Sequence, residues 1–139
     1  MLNELQRLHA KMVRHLDDLD LLTAEDKPSI NELTATRLAL TRASRARTLL
    51  LERVYDELLR EADLVTKMAL TRLQTQGKEN LSKSGAHIGE WTLREVANRW
   101  ADYCAASNRL RAEMRRRIAT EKKVVYPLLG KADPAVKVA

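Results

Sequence analysis

The sequence predicts an all-α protein, an up-down-up-down four-helix bundle, and three observations carry that prediction. Apolar residues recur at alternating spacings of three and four over long stretches, which draws one stripe down each helix. Turn punctuation is sparse, with four Gly and three Pro in 139 residues. Strand formers are scarce too: there is no Phe, with two Trp and three Tyr, while Leu, Ala, Arg, Glu and Lys dominate. Four amphipathic helices joined by short connections bury their stripes against one another as an antiparallel bundle.

The first helix is predicted over 2–22, with Leu5, Leu8, Met12, His15, Leu19 and Leu22 on its stripe and Leu2, His9 and Leu16 flanking it. The segment TAEDKP breaks the pattern, and Pro28 stands just ahead of a capping box, Ser29-Ile-Asn-Glu32. The second helix is predicted over 30–59. Its best inward set is Leu33, Leu40, Ser44, Thr48, Leu51, Tyr55 and Leu58 or Leu59. The third, over 63–90, carries Val65, Met68, Ala69, Leu73, Leu81 and Ile88, and is weakened by Gly77 and the run SKSG at 82–85. Its polar second half is expected to be the least stable part of the domain. A second capping box, Thr92-Leu-Arg-Glu95, opens the fourth helix, over 93–125. The stripe here is the longest: Val96, Trp100, Tyr103, Ser107, Leu110, Met114, Arg117, Glu121, Val124 and Leu128. It should end at Tyr126-Pro127, because proline pushes the preceding residue out of the helical region. Residues 1–130 thus form one domain and 131–139 a loose tail.

Composition narrows the function classes. A hydrophobic fraction of 45% and a charged fraction of 32% are globular values. The net charge of +6 and isoelectric point near 9.7 permit an acidic partner such as nucleic acid without specifying one. Arg37, Arg42, Arg45, Arg47 and Arg53 line the second helix. Arg109, Arg111, Arg115, Arg116, Lys122 and Lys123 are expected on the outer surface of the fourth. No aromatic interleaving or nucleic-acid motif accompanies these rows, and such a charge run is ordinarily a solvated face. The single cysteine, Cys104, excludes an internal disulfide, fits a reducing cytosol, and reads as inert packing. The opening MLNELQRLHAKMVRHL is charged throughout, unlike a signal peptide, and no apolar run approaches the ~20 residues that span a bilayer. A cytoplasmic protein with no membrane partner is the expectation. No nucleophile–base–orienter set, phosphate-binding glycine loop or zinc spacing can be read, so no catalytic residue is named and no enzyme is predicted.

Bundles build sites from polar side chains that project inward. His15 lies on the first stripe and His9 beside it, and either alone is more often a core histidine bonded to a neighbour. Glu52 borders the second stripe, one turn after Thr48. Arg117 and Glu121 are four apart and can pair along one helix face. Their spacing leaves two arrangements open. Either both charges are buried in the stripe, or the helix turns so that Ile118 and Val125 face inward and the charges sit at the edge. His87, in SGAHIG near the end of the third helix, reads as a surface residue.

Three segments resemble the bacterial hemerythrin-like (HHE cation-binding) family. In LHAKMVRHLDDL, 8–19, His9 is followed by Met12, Leu16 and Leu19. LLLERVYDELL, 49–59, has a glutamate, a tyrosine and a leucine pair; RIATEKKVVYPLL, 117–129, is the most specific, with its Glu and its Tyr-Pro-Leu-Leu ending. The resemblance covers most of the chain and implies a four-helix bundle around two irons held by histidines and carboxylates. It also implies a degenerate member. Arg117 stands where the family has a final-helix histidine, Thr48 stands where a second-helix histidine is expected, and the third helix has only His87. What survives of the ligand set is His9 or His15, Glu52 and Glu121, too few to hold two irons with an open position. No cofactor is therefore implied, or iron only if an altered site still works.

Two carboxylates stripped of metal would repel one another. The Arg117 guanidinium, with its five donors, would take the place of the cations in a network of Arg117, Glu121, Glu52 and His9. On this resemblance the chain is a metal-free, non-enzymatic regulatory or binding protein whose partner is another protein or a second copy of itself. One alternative is a residual metal or oxygen sensor using His9, His15, Glu52, Glu121 and His87. Another is a nucleic-acid binder using the basic faces of the second and fourth helices.

Overall fold

The computed structural model describes residues 1–132, which are all-helical with no strand among them. Helix α1 spans Leu2–Thr23, α2 Ile30–Arg60, α3 Leu64–Glu90, α4 Leu93–Asn98 and α5 Trp100–Ala132. Four long helices with the short α4 between α3 and α5 follow a four-helix bundle loosely. No helix among the described residues is long and apolar enough to cross a membrane.

The first three helices lie where the periodicity puts them, and α3 runs unbroken through Gly77 and SKSG. The predicted fourth helix is two. The chain turns at Arg99 (φ −134°, ψ 53°), so α4 brings Val96 into the core and α5 starts afresh at Trp100. Arg99 stacks over the Trp91 ring, 4.5 Å from its centroid, which holds the corner. No glycine or proline marks this break, so periodicity runs straight through it.

Helix α5 also continues past its predicted end, through Pro127 to Ala132. An internal proline costs ~3 kcal/mol through a lost hydrogen bond and a steric clash. Val125 and Leu129, buried on either side of it, pack in one cluster with Leu2, Leu5, Val54 and Leu70 and offset that cost. Lys131 and Ala132 are therefore helical rather than part of a loose tail, and residues 133–139 lie outside the described residues.

Of the two capping boxes, one forms by half: the Thr92 hydroxyl accepts the Glu95 N–H at 3.3 Å, while the Glu95 carboxylate accepts from Arg99. The Ser29 hydroxyl instead donates to the Glu25 carboxylate at 2.7 Å and caps nothing. Asp63 caps α3, accepting the Thr66 N–H at 2.8 Å.

Helix α1 buries Leu2, Leu5, His9, Met12, Leu16, Leu19 and Leu22. This is the predicted rhythm rotated slightly, so that His9 lies at the centre and Leu8 and His15 are only half-buried at the edge. In α2, Ala43, Leu50, Leu51, Val54 and Tyr55 are buried, while Ser44 and Thr48 are half-buried. Helix α3 buries only Leu70 and Leu73. Val65, Met68, Leu81 and Ile88, predicted inward, are exposed, and Leu81 and Ile88 border an open groove between α2 and α5.

Candidate functional site

The core is two apolar clusters with a charged layer between them. One cluster holds Met12, Ala43 and Ile118, the other Leu5, Leu50 and Val125. Between these pairs, on three different helices, stand His9, Arg47 and Glu121. The apolar stripes of α1, α2 and α5 are therefore interrupted at one level. Arg117, one turn before Glu121, joins the layer. Glu121 and His9 are fully buried, and Arg117 is 7% exposed. Ile118 and Val125 are buried as well, so the two arrangements left open by the spacing coexist on one wide inward face.

Each Glu121 oxygen has its own donor. His9 Nε2 donates to Oε1 at 2.7 Å and Arg117 Nε donates to Oε2 at 2.7 Å. An ionised carboxylate only accepts, which fixes the proton on Nε2 of His9. The other ring nitrogen, Nδ1, accepts the Tyr126 hydroxyl at 2.6 Å. Burial, reinforced by the Glu121 charge, raises the Tyr126 pKa, which keeps that hydroxyl a donor. Arg117 Nη2 donates to the Leu73 carbonyl at 2.6 Å and reaches the Tyr55 hydroxyl at 3.5 Å. Burial pushes the Tyr55 phenol up to about 12 against the opposing charge of Arg117, so it too stays protonated.

Arg47 is the loose member. Its Nη1 lies 3.7 Å from Glu121 Oε1, within ion-pair range but too far for a hydrogen bond. Burial lowers its pKa, and the neighbouring Arg117 adds to this while Glu121 opposes it. For Glu121, burial raises the pKa, but the His9 hydrogen bond and the charges of Arg47 and Arg117 outweigh it and the net shift is downward. Gly77 of α3 completes the wall: a Cβ there would stand 2.9 Å from Arg117 Nη2. The glycine that weakens α3 in sequence terms is what admits the guanidinium.

Two predicted site residues fall outside the layer. Glu52 is exposed, because α2 turns Leu51 and Tyr55 inward instead, and so it is no part of the network. His15 is half-buried at the edge of α1, six residues from His9 and on a different face. His87 is also half-buried rather than a surface residue. Its ring lies 5.9 Å from that of Tyr103, at the far end of the α2–α3–α5 groove.

Arg47 was placed by the sequence in a solvated row, yet its side chain is 11% exposed. The available signal is its step: four after Ala43 and three before Leu50, in register with buried residues. Arg111, predicted on the outer surface, is buried, donating through Nε to Asp20 at 2.8 Å and through Nη2 to Thr23 at 3.0 Å. Arg115 bridges Asp17 and Asp20 at 2.8 and 2.7 Å, and Arg37 donates to the Trp91 carbonyl at 2.7 Å. The basic rows of α2 and α5 are thus partly internal and partly paired, which leaves a thinner basic surface than the sequence suggests.

The donor set does not fit a pair of irons. Among the described residues no group of three or more His, Cys, Asp and Glu side chains converges as metal ligands would. Of the ligand set implied by the resemblance, only His9 and Glu121 meet, and both carboxylate oxygens already accept N–H donors. Two guanidinium charges beside them oppose a further cation. No protein-family model, curated protein or solved structure matches the chain.

Proposed function

We propose that the chain is a hemerythrin-like four-helix bundle in which the charged layer replaces the metal centre, and that it works by binding, as a regulatory or scaffold protein, rather than by catalysis. The observation that carries this reading is the Glu121 carboxylate, with one oxygen on His9 and the other on Arg117. His9 on the opening helix and Glu121 four after Arg117 on the last are the positions at which the resemblance expects ligands. Here they hold each other and an arginine. The Tyr126 of the Tyr-Pro-Leu-Leu ending supports the same reading, since its hydroxyl supports the His9 ring. On this proposal the partner is a protein or a second copy of the chain, and the exposed Leu64, Val65 and Met68 at the start of α3 are apolar surface such a partner would cover.

The test is metal analysis with an absorption spectrum, on protein expressed with added iron and purified in air. The expected result is a colourless protein with far less than one iron per chain. Two irons per chain would overturn the proposal and favour the metal or oxygen sensor.

A further inference from the structure

The charged layer is out of balance. It holds two guanidinium groups against a single carboxylate, and three of their nitrogens lack hydrogen-bond partners among the described residues: Arg47 Nε, Arg47 Nη1 and Arg117 Nη1. Buried donors without acceptors are costly and rare, and here they gather on two neighbouring side chains. Arg117 itself is held on one side by Glu121 and Leu73, so its free nitrogen is not a product of a wandering side chain.

Both arginines line a cavity of about 130 Å³ between α2, α3 and α5, with Tyr55, Gln74 and Gly77 among its other walls. This is room enough for a small oxyanion. Thr48, Glu52 and Leu81 also line a second space, a groove of about 380 Å³ that runs on between the same three helices. Its walls include Leu40, Leu49, Ile88, Leu110 and Met114. Leu49, Leu81 and Ile88 are 58%, 57% and 47% exposed, which is unusual for large apolar side chains that face one another across a groove. Two guanidinium groups thus wall a cavity that opens into a mainly apolar trough, their unpartnered nitrogens lying just beneath its surface.

We propose that this site binds an apolar monocarboxylate, its carboxylate seated between Arg47 and Arg117 and its hydrocarbon chain lying in the groove between α2, α3 and α5. A carboxylate accepts an N–H from each guanidinium and supplies the single negative charge that the layer lacks. Glu121 lies beside Arg47, Lys78 also lines the cavity, and Glu52 stands exposed where cavity meets groove. The tail would cover Leu49, Leu81 and Ile88, which supplies the apolar part of the affinity.

The inference rests on the reading of the chain as a metal-free binding protein. Calorimetric titration of the full chain with sodium octanoate, with 1-octanol and inorganic phosphate in parallel, tests it. Octanoate should bind saturably at one site, and 1-octanol, with the same tail and no charge, at least tenfold more weakly. Arg47→Met, checked for folding by circular dichroism, should weaken octanoate by a similar factor. Equal binding of octanoate and octanol would overturn the role of the arginines. Phosphate binding in place of octanoate would overturn the apolar tail. No saturable octanoate binding would overturn the whole inference while leaving a metal-free protein metal-free, whereas iron in the purified protein would sink the underlying reading directly. The octanol comparison needs no variant, so a poorly folded Arg47→Met would not shield the idea.

Discussion

Glu121 keeps its charge in a place that disfavours charge. Burial alone would raise its pKa, but the His9 hydrogen bond and the Arg47 and Arg117 charges bring it below the ordinary 4.5. A carboxyl with a depressed folded-state pKa contributes stability that is fully present above its unfolded value and is lost as pH falls through the folded value. The stability measured by urea unfolding should therefore fall as the pH drops below 4.5, with Glu121 supplying part of the slope. Glu121→Gln should be less stable at neutral pH by ~3–5 kcal/mol, since two guanidinium groups lose their only internal carboxylate. Its acid slope should also be shallower than that of the wild type, and an unchanged slope would show that Glu121 is not the titrating group. At this scale the sequence is informative where a charge keeps step with an apolar stripe, as Arg117 and Glu121 do. Arg47 keeps step too, but it is hidden in a row of arginines that are otherwise exposed. The stripe of α1 as read from spacing carries His15 and leaves His9 at its flank, the reverse of their burial, and it is the resemblance that points to His9. The same resemblance draws Glu52 inward, where the rotation of α2 does not take it.

A glycine inside a helix costs ~1 kcal/mol relative to alanine, and α3 carries that cost at Gly77. The compensation is the approach of Arg117 Nη2, which donates to the Leu73 carbonyl one turn earlier and would meet a Cβ at 2.9 Å. Gly77→Ala should therefore give no gain in the wild type, where the guanidinium must retreat. In an Arg117→Met background the same change should stabilise by ~1 kcal/mol, the helix propensity no longer being opposed. Urea denaturation of the four proteins in the cycle measures the coupling, and strict additivity would mean that Gly77 and Arg117 are independent. Spacing and breakers give the first three helices to within a residue at each end, but not the break between α4 and α5 or the end of α5. A local rule stops α5 at Pro127, and the burial of Val125 and Leu129 overrides it. At Arg99 there is no local rule to apply. In α3, periodicity draws an apolar stripe of which only Leu73 is buried, because it says nothing about whether another helix lies opposite to cover Leu81 and Ile88.

Over the whole molecule, the charged layer divides one core into two and ties α1, α3 and α5 together across that division: His9 from α1, the Leu73 carbonyl from α3, Arg117 and Glu121 from α5. A buried ionic layer is seldom more stable than apolar packing of the same volume, and its value lies in fixing which alignment of helices can satisfy it. Within the layer the two arginines have opposite standing. Arg117 satisfies Glu121 and Leu73, whereas Arg47 makes no hydrogen bond among the described residues and adds an unbalanced charge. Urea denaturation of Arg117→Met and Arg47→Met side by side at neutral pH separates them. Arg117→Met should lose ~3–5 kcal/mol, as expected for a buried charge deprived of its partner. Arg47→Met, without added ligand, should lose nothing or gain ~1 kcal/mol, because the donors it removes have nothing to bond. Equal losses in the two variants, or a fully stable Arg117→Met, would contradict a core organised around the Arg117–Glu121–His9 layer.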